Sequence, residues 1–396
     1  MLAEKDKCTG CSACYATCNY NGIKMIEDEA GFKYPRVDYE KCVGCFMCTK
    51  ACPVLNNMAE NNNKKRGYIL QNKDKNALFE STSGAVFPEI AKYIIELNGR
   101  VYGAAFDNEF CVRHIAVEDL LALNKLKKSK YVQSDMGDIY RSVKADLISD
   151  RHVCFSGTPC QVEGLLSFLG KEYPKLVTID VVCHGVASPL LWRKYISFRQ
   201  KSKVIKDVCF RDKSKGYQYS QMNILYEDGS RYLQGTEYDQ MLRAFFSDIC
   251  DRESCYHCSF KKIDRVSDFT IWDSFDNSKF NVDLNENVGT SKMIVHTEKG
   301  CRVFEAIKER FFYKEVDSKS LVDSAYEMTS SVEKNMNREK FLMDLNNIST
   351  EQLINKYFPI NTKVIIKKTC REILYRLQLY TLARRLFNRM KAVVRF

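Results

Sequence analysis

The chain has 396 residues, 45% apolar and 28% charged, with seven prolines. At roughly two to three times the usual single-domain length, it is expected to form two domains, and a disordered, collagen-like or low-complexity protein is excluded. Nine of its eleven net positive charges fall in residues 363–396, ten Lys and Arg against Glu372, so the basic excess is a terminal segment and no nucleic-acid partner is expected.

No apolar run approaches about eighteen residues, the length of a membrane span. The first fifteen residues hold charges and Cys8, Cys11 and Cys14, which is no secretory signal, so a cytoplasmic location is expected. There, eighteen cysteines with only five histidines point to thiolate-held metal, iron–sulfur or zinc, and not to disulfides.

In chain order, the first feature is Cys8-x2-Cys11-x2-Cys14-x3-Cys18, then Cys42-x2-Cys45-x2-Cys48-x3-Cys52-Pro53. In such doubled runs the first three cysteines wrap one 4Fe-4S cube and the fourth reaches the other. Cluster one is therefore expected on Cys8, Cys11, Cys14 and Cys52, and cluster two on Cys42, Cys45, Cys48 and Cys18. A pair of zinc knuckles would also use eight cysteines, but the x2-x2-x3 spacing disfavours it. Between the runs, Gly22 to Val37 reads as strand, turn at Glu29-Ala30-Gly31, strand, giving a small α+β ferredoxin-like dicluster domain over residues 1–58. Asn19 stands where a proline usually follows the fourth cysteine, and is expected to loosen that turn.

Asn56 to Lys65 is polar and marks a boundary. Beyond it, Tyr68–Gln71, Val101–Phe106, Arg151–Ser156 and Leu176–Val182 read as strands. Val86–Leu97, Leu120–Leu126, Met136–Ile148, Gln161–Leu169 and Pro189–Phe198 read as helices. This alternation implies a larger α/β domain with a mixed or parallel sheet over residues 65–335, divided near residue 150. Val204 to Leu233 holds shorter strands, Asp268–Trp272 is another, and residues 316–362 are mainly helical. The segment 336–396 closes the chain with a basic amphipathic tail. There Ile366, Cys370, Ile373, Leu377, Tyr380, Leu386, Phe387, Met390 and Val394 recur near helical spacing. Such a tail docks on its own domain or contacts an anionic membrane or a partner protein.

Two strand–helix junctions have phosphate-cradle chemistry: Ser81-Thr82-Ser83-Gly84 and Phe155-Ser156-Gly157-Thr158-Pro159-Cys160-Gln161. Ser83 is equally an ordinary N-cap, and Pro159 suits a first helical turn. Neither a GxGxxG nor a Walker A sequence occurs. Cys183, before His184, and the Cys255-Tyr256-His257-Cys258 run leave three readings open: a third cluster completed by Cys160, a zinc site borrowing His184 or His257, or a dithiol. Cys250-x4-Cys255-x2-Cys258 also has plant-type 2Fe-2S spacing. Cys111, Cys154, Cys209, Cys301 and Cys370 are read as small buried hydrophobes.

Together with Ser129-Lys130-Tyr131-Val132-Gln133-Ser134, Cys183-His184-Gly185-Val186, and Ser254 to Cys258 leading to Arg265 and Asp268, these motifs resemble the coenzyme F420 hydrogenase/dehydrogenase beta-subunit family, in the branch with a fused dicluster ferredoxin, over roughly residues 1–345. The resemblance implies FAD at Ser81, Thr82, Ser83, Gly84, Lys130, Ser134, Ser156, Gly157 and Thr158. It also implies a third 4Fe-4S cluster on Cys160, Cys183, Cys255 and Cys258. The implied activity is oxidoreduction, passing electrons between a reduced ferredoxin or similar protein and a small-molecule substrate. Thr270 to Phe275 departs from the family in lacking a glycine before Asp273. Lys130, which ends a basic run, His184 and His257 are the candidate catalytic residues, as a stabiliser of anionic flavin and as proton donors.

Overall fold

The computed structural model describes residues 2–56, 65–285, 287–323 and 325–384. The N-terminal body comprises α1 (Ala13–Thr17), a hairpin of β1 (Ile23–Glu27) and β2 (Lys33–Val37), and α2 (Met47–Lys50), with Ile23 opposite Val37 and Glu27 opposite Lys33. The hairpin turn forms because the Asp28 carboxylate accepts the backbone N–H groups of Ala30 and Phe32, and Gly31 takes φ 80°. The two cysteine runs repeat one backbone shape. Gly10 and Ser12 have φ 67° and 68°, and Gly44 and Phe46 have φ 68° and 57°. In each run the left-handed pair brackets the second cysteine. The turns leading into the fourth cysteines match: Cys18 N donates to Tyr15 O at 3.2 Å and Cys52 N to Thr49 O at 3.2 Å.

The larger body holds an eight-stranded mixed sheet and a three-stranded one. The large sheet uses β3 (Arg66–Asn72), β4 (Arg100–Phe106), β5 (Val112–Val117), β6 (Val153–Gly157), β7 (Leu176–Val181), β11 (Phe269–Asp273), β12 (Ser291–Val295) and β13 (Phe311–Val316), in the order β13-β3-β12-β11-β7-β6-β4-β5. Adjacent pairs among β4, β6, β7 and β11 are parallel, and the flanking pairs are antiparallel. The small sheet is β8 (Ile205–Asp212), β9 (Gln221–Tyr226) and β10 (Arg231–Gly235).

Helices connect and cover these strands: α3 (Lys75–Glu80), α4 (Val86–Glu96), α5 (Leu120–Leu123), α6 (Ile139–Ile148), α7 (Pro159–Leu169), α8 (Pro189–Arg199), α9 (Gln240–Phe246) and α10 (Glu298–Ile307). The C-terminal set is α11 (Ser318–Val322), α12 (Tyr326–Thr329), α13 (Arg338–Asn347), α14 (Thr350–Tyr357) and α15 (Thr362–Arg376). The expected helix over Leu120–Leu126 is α5 followed by a 3-10 turn at Asn124–Leu126, and the one expected from Met136 begins at Ile139. α4 is capped by Ala85 at φ 62°, so Ser83 is not its N-cap. α7 starts at Pro159 behind a capping box of Thr158 and Gln161.

Period-two alternation divides the sheet's faces. Val101, Cys154, Val177 and Ile179 pack with Ile90 and Ile94 of α4 and Phe304 of α10. On the other face Tyr102, Val153 and Phe155 pack with α6 and α7, and Cys11, Ala13 and Ala16 of the N-terminal body join that layer. A third core lies around Trp192, Tyr195, Phe210 and Phe341. Of the single cysteines, Cys154 and Cys209 are buried as expected, but Cys111 and Cys301 are half-buried and Cys370 is exposed.

The two bodies are bound by buried polar contacts. Arg252, 1% exposed, donates through Nε to Cys8 O (2.7 Å), and its two Nη atoms donate to Gln133 Oε1 (2.8 Å) and Lys33 O (3.1 Å). Arg141 donates to the carbonyls of Tyr15, Ala16 and Cys18. The Ser188 hydroxyl donates to Ala30 O at 2.6 Å. In the tail, Arg371 bonds Glu237 and the carbonyls of Tyr219 and Ser220, while Tyr375 and Tyr380 pack on Tyr219. Its described part therefore docks on its own body, although Ile366, Ile373 and Leu377 stay exposed. Leu386, Phe387, Met390 and Val394 lie outside the described residues, as does most of the expected boundary at 56–65. Among the described residues no helix is long and apolar enough to cross a membrane.

Candidate redox centre

Cys8, Cys11, Cys14 and Cys52 line one pocket, walled also by Met25 and Pro35 of the hairpin. The left-handed residues at Gly10 and Ser12 turn this loop around the pocket. Burial pushes the Cys11 thiol up to about 12 and raises Cys14 and Cys52, and the other thiols of the set raise them further. Thiols withdrawn from water in this way become thiolates when a metal takes their protons' place. The pocket therefore fits a thiolate-held inorganic group.

The second set has a different environment. Cys42 and Cys45 are exposed, and Cys48 and Cys18 are half-buried. Cys18 follows α1, and its Sγ accepts Gly22 N–H at 3.3 Å. Phe46, Met47 and Val43 around this set are exposed as well.

A third gathering lies in the larger body. Cys160 is in the first turn of α7, Cys183 follows β7, and Cys255 and Cys258 lie at the 3-10 turn Glu253–His257. Cys160 feels the charge of Cys258, Cys183 that of Cys160 and Cys258, and Cys255 that of Cys183 and Cys258. Burial drives Cys160 up to about 11 and Cys183 up to about 12, so this set also fits a thiolate-held group. It adjoins the first pocket, since Cys11 feels the charge of Cys160. A Cβ on Gly164 would stand 2.9 Å from Cys11 Sγ. Cys250 belongs instead to the core around Trp192, apart from these sulfurs, which removes the plant-type 2Fe-2S spacing as a guide.

The other candidate residues sit along the C-terminal edge of the strands that run with β4, where open α/β sheets bind ligands. Thr82 Oγ1 accepts Ser129 N–H (3.0 Å), Ser83 Oγ meets Ser291 Oγ (2.8 Å), and Gly84 N donates to Ser291 Oγ (2.9 Å). A Cβ on Gly84 would meet Leu70 O at 2.5 Å, so only glycine lets this loop close on β3. The Ser81 hydroxyl is buried with no partner among the described residues, which fits a ligand acceptor at that loop. Ser134 Oγ bonds His114 Nδ1 (2.7 Å) and Gln161 Nε2 (3.0 Å), and His114 Nε2 meets Ser156 O (3.0 Å). Ser134 also lines a pocket of about 670 Å³ shared with Gly10, Ser12 and Trp192. At the 156–158 junction, Thr158 N and Oγ1 are both taken by Gln161, so the capping box fills the cradle that the sequence suggests beside Gly157. Asp273, the departure from the family pattern, pairs with Arg211 and accepts from Tyr217 Oη (2.7 Å).

Lys130 is not a surface lysine. Its Nζ donates to the carbonyls of Ala104, Lys125 and Lys127, and burial lowers it to about 7. With all three donors engaged, the ammonium knots the 125–130 loop to β4. His184 is half-buried, with Nε2 2.7 Å from Asp248 Oδ1. Burial lowers its pKa, but the Asp248 hydrogen bond and the Asp251 charge outweigh that and leave it raised. His257 is exposed. Arg265 and Asp268 are buried. Arg265 stands 3.6 Å from Asp180, and Asp268 clasps β7 by accepting Thr178 N–H (2.8 Å).

A 4Fe-4S dicluster domain model matches residues 2–59, and the model for the C terminus of the coenzyme F420 hydrogenase/dehydrogenase beta subunit matches residues 150–319. Residues 150–319 thus match the C-terminal part of the coenzyme F420 hydrogenase/dehydrogenase beta subunit, behind a 4Fe-4S dicluster domain. The chain is 25% identical over 171 residues to the coenzyme F420-dependent sulfite reductase of Methanocaldococcus jannaschii, covering 41% of the chain and 25% of that protein. It thus spans a quarter of that relative's length. Its N-terminal segment is 41% identical over 54 residues to pyruvate synthase subunit PorD of the same organism, covering 13% of the chain and 57% of PorD. It is 36% identical over 53 residues to a ferredoxin there, covering 13% of the chain and 68% of the ferredoxin. The F420-reducing NiFe hydrogenase complex of Methanosarcina barkeri is a structural neighbour, with TM-score 0.40 and 13% identity over 77% of this chain and 97% of the hydrogenase chain. The match over residues 2–59 supports a ferredoxin-type domain for two 4Fe-4S clusters.

The residues that sequence reasoning misses are Arg252, Asp248 and Asp251. The adjoining Cys250-Asp251-Arg252 run was a signal, because charged residues between cysteines of a metal-rich segment are rarely left without a partner.

Proposed function

We propose that the chain is a flavin-dependent iron–sulfur oxidoreductase that passes electrons between a ferredoxin-like protein and a small-molecule substrate. The observation that carries this reading is the adjacency of two enclosed thiol sets, Cys8, Cys11, Cys14 and Cys52 beside Cys160, Cys183, Cys255 and Cys258, with Cys11 next to Cys160. The first set would hold one cluster of the dicluster domain and the exposed Cys42, Cys45, Cys48 and Cys18 the other. The third set would hold a further 4Fe-4S cluster. FAD would lie along the strand edge near Ser81 to Gly84 and Ser134. When bound, the clusters supply single-electron transfer and the flavin couples it to two-electron chemistry.

The chain's own residues hold and insulate these groups. Arg252 fixes the Cys8 loop against the larger body, and its Nη2 lies 3.9 Å from Cys8 Sγ, a cation beside a thiolate. Lys261 Nζ, bound to the carbonyls of Cys183, His184 and Glu327, does the same beside the third set. The names of the relatives point to a deazaflavin coenzyme as the substrate class.

Iron, sulfide and flavin quantification on anaerobically purified protein tests the reading. About twelve irons and one flavin per chain are expected, whereas about eight irons would remove the third set from the assignment. A colourless protein with stoichiometric zinc would overturn it altogether. The exposed apolar surface around Cys42 and Cys45 favours a second reading, a relay subunit feeding a partner enzyme. Turnover of the isolated chain with reduced ferredoxin and an acceptor panel separates the two, since a pure relay reduces no organic acceptor.

A further inference from the structure

We infer that His184, Asp248 and Asp251 form a binding site for one divalent transition-metal ion, beside the third cysteine set but made of other side chains. One ligand atom from each of the three residues lies within 4.8 Å of the others. Asp251 is the decisive member. It is fully buried, and neither carboxylate oxygen has a hydrogen-bond partner among the described residues. A buried carboxylate is costly to leave alone.

The nearby cations are committed elsewhere. Lys261 Nζ bonds three carbonyls, and the Arg338 guanidinium bonds the backbone oxygen of Asp251 together with Glu253 and Glu339. An ion between the three side chains supplies the direct partner that these two oxygens lack.

The surrounding backbone is shaped to bring the ligands together. Gly185 lets the Asp251 carboxylate lie against the segment that carries His184, where a Cβ would stand 2.9 Å from Asp251 Oδ2. Asp248 holds a left-handed φ of 56°, uncommon for a residue other than glycine. Its carbonyl accepts Tyr256 Oη at 2.5 Å, which fixes the turn. The rings of Phe245 and Phe246, at 5.0 and 6.0 Å from the imidazole, form an apolar wall. One imidazole and two carboxylates suit zinc, manganese or ferrous iron, and three protein ligands leave a position open to a small molecule.

The test uses full-length protein purified without oxygen, passed through EDTA-containing gel filtration and then exchanged into chelator-free buffer. Manganese chloride is titrated in while the six-line EPR signal of free Mn2+ is recorded. One Mn2+ per chain is expected to bind and to be displaced by Zn2+. Asp251→Asn and Asp248→Asn each weaken binding by about tenfold or more while iron and sulfide remain at the wild-type level. Asp248 is partly exposed, so its variant carries the test if Asp251→Asn does not fold. Undiminished free-ion signal with the wild type, or wild-type affinity in Asp248→Asn, would overturn the site. The iron and sulfide counts report on the cysteine sets independently, so failure of one proposal is distinguishable from failure of the other.

Discussion

Arg252 does the work of several residues in one side chain. Its guanidinium joins the Cys8 loop, the β2 strand and Gln133 while lying 4.0 Å over the Tyr34 ring. Each buried hydrogen bond from a charged donor contributes about 1.5–3 kcal/mol. Arg252→Ala is therefore expected to cost about 3 kcal/mol or more in chemical denaturation, with the N-terminal body losing hydrogen-exchange protection first. His114 gives a second test at this scale. Burial lowers it from 6.5 to about 4, so below pH 6.5 the unfolded chain binds the proton that the folded chain refuses. Stability is complete above pH 6.5 and falls by up to about 1.4 kcal/mol per pH unit on acidification toward 4. Denaturant titrations at pH 7.5 and 5.5 should show that slope, and His114→Gln should reduce it, with the buried His296 contributing in the same direction. Neither residue stood out in the sequence. A lone arginine or histidine has no periodic neighbours to betray its partners, and both partnerships span more than a hundred residues or join separate strands.

At the scale of elements, α7 ties the two thiol sets together. Cys160 lies in its first turn, and Gly164 in its second presses on Cys11 Sγ and on the Tyr140 hydroxyl, each 2.9 Å from where a Cβ would stand. Gly164→Ala is expected to cost about 1–3 kcal/mol, the usual result of overfilling a packed contact, and to alter the EPR spectrum of the cluster nearest Cys11 while that on Cys42, Cys45, Cys48 and Cys18 keeps its signal. The cysteine runs, the hairpin, α4, α7 and β7 were legible because each has a local signature: fixed spacing, a turn residue, helical period or an unbroken apolar run. At Ser156 to Thr158 the capping role of Gln161 was not legible, because it looks the same in sequence whether it caps its own helix or leaves the N-terminus open. The choice between cap and loop contact at Ser83 stayed open in the sequence because its partner, Ser291, lies more than two hundred residues away.

Across the whole molecule, the C-terminal segment is part of the architecture. Arg371, Tyr375 and Tyr380 anchor it on the Tyr219 loop. Cutting after residue 362 is expected to lower the melting temperature by about 3–6 °C, with Arg371→Ala producing much of that drop in a thermal scan. An unchanged transition would mean that the anchor contributes nothing. The mixed sheet and the order of the bodies could be anticipated from alternating patterns. The tail's anchoring could not, since its basic composition fits a membrane, a partner or a self-contact equally well.

The contrast between the enclosed Cys11 and Cys14 and the solvent-facing Cys42 and Cys45 sets an order of attrition in air. Were the proposed clusters bound, dioxygen would reach the one on Cys42 and Cys45 first, so brief exposure should bleach that centre while its inner neighbour survives, leaving a protein that is still brown.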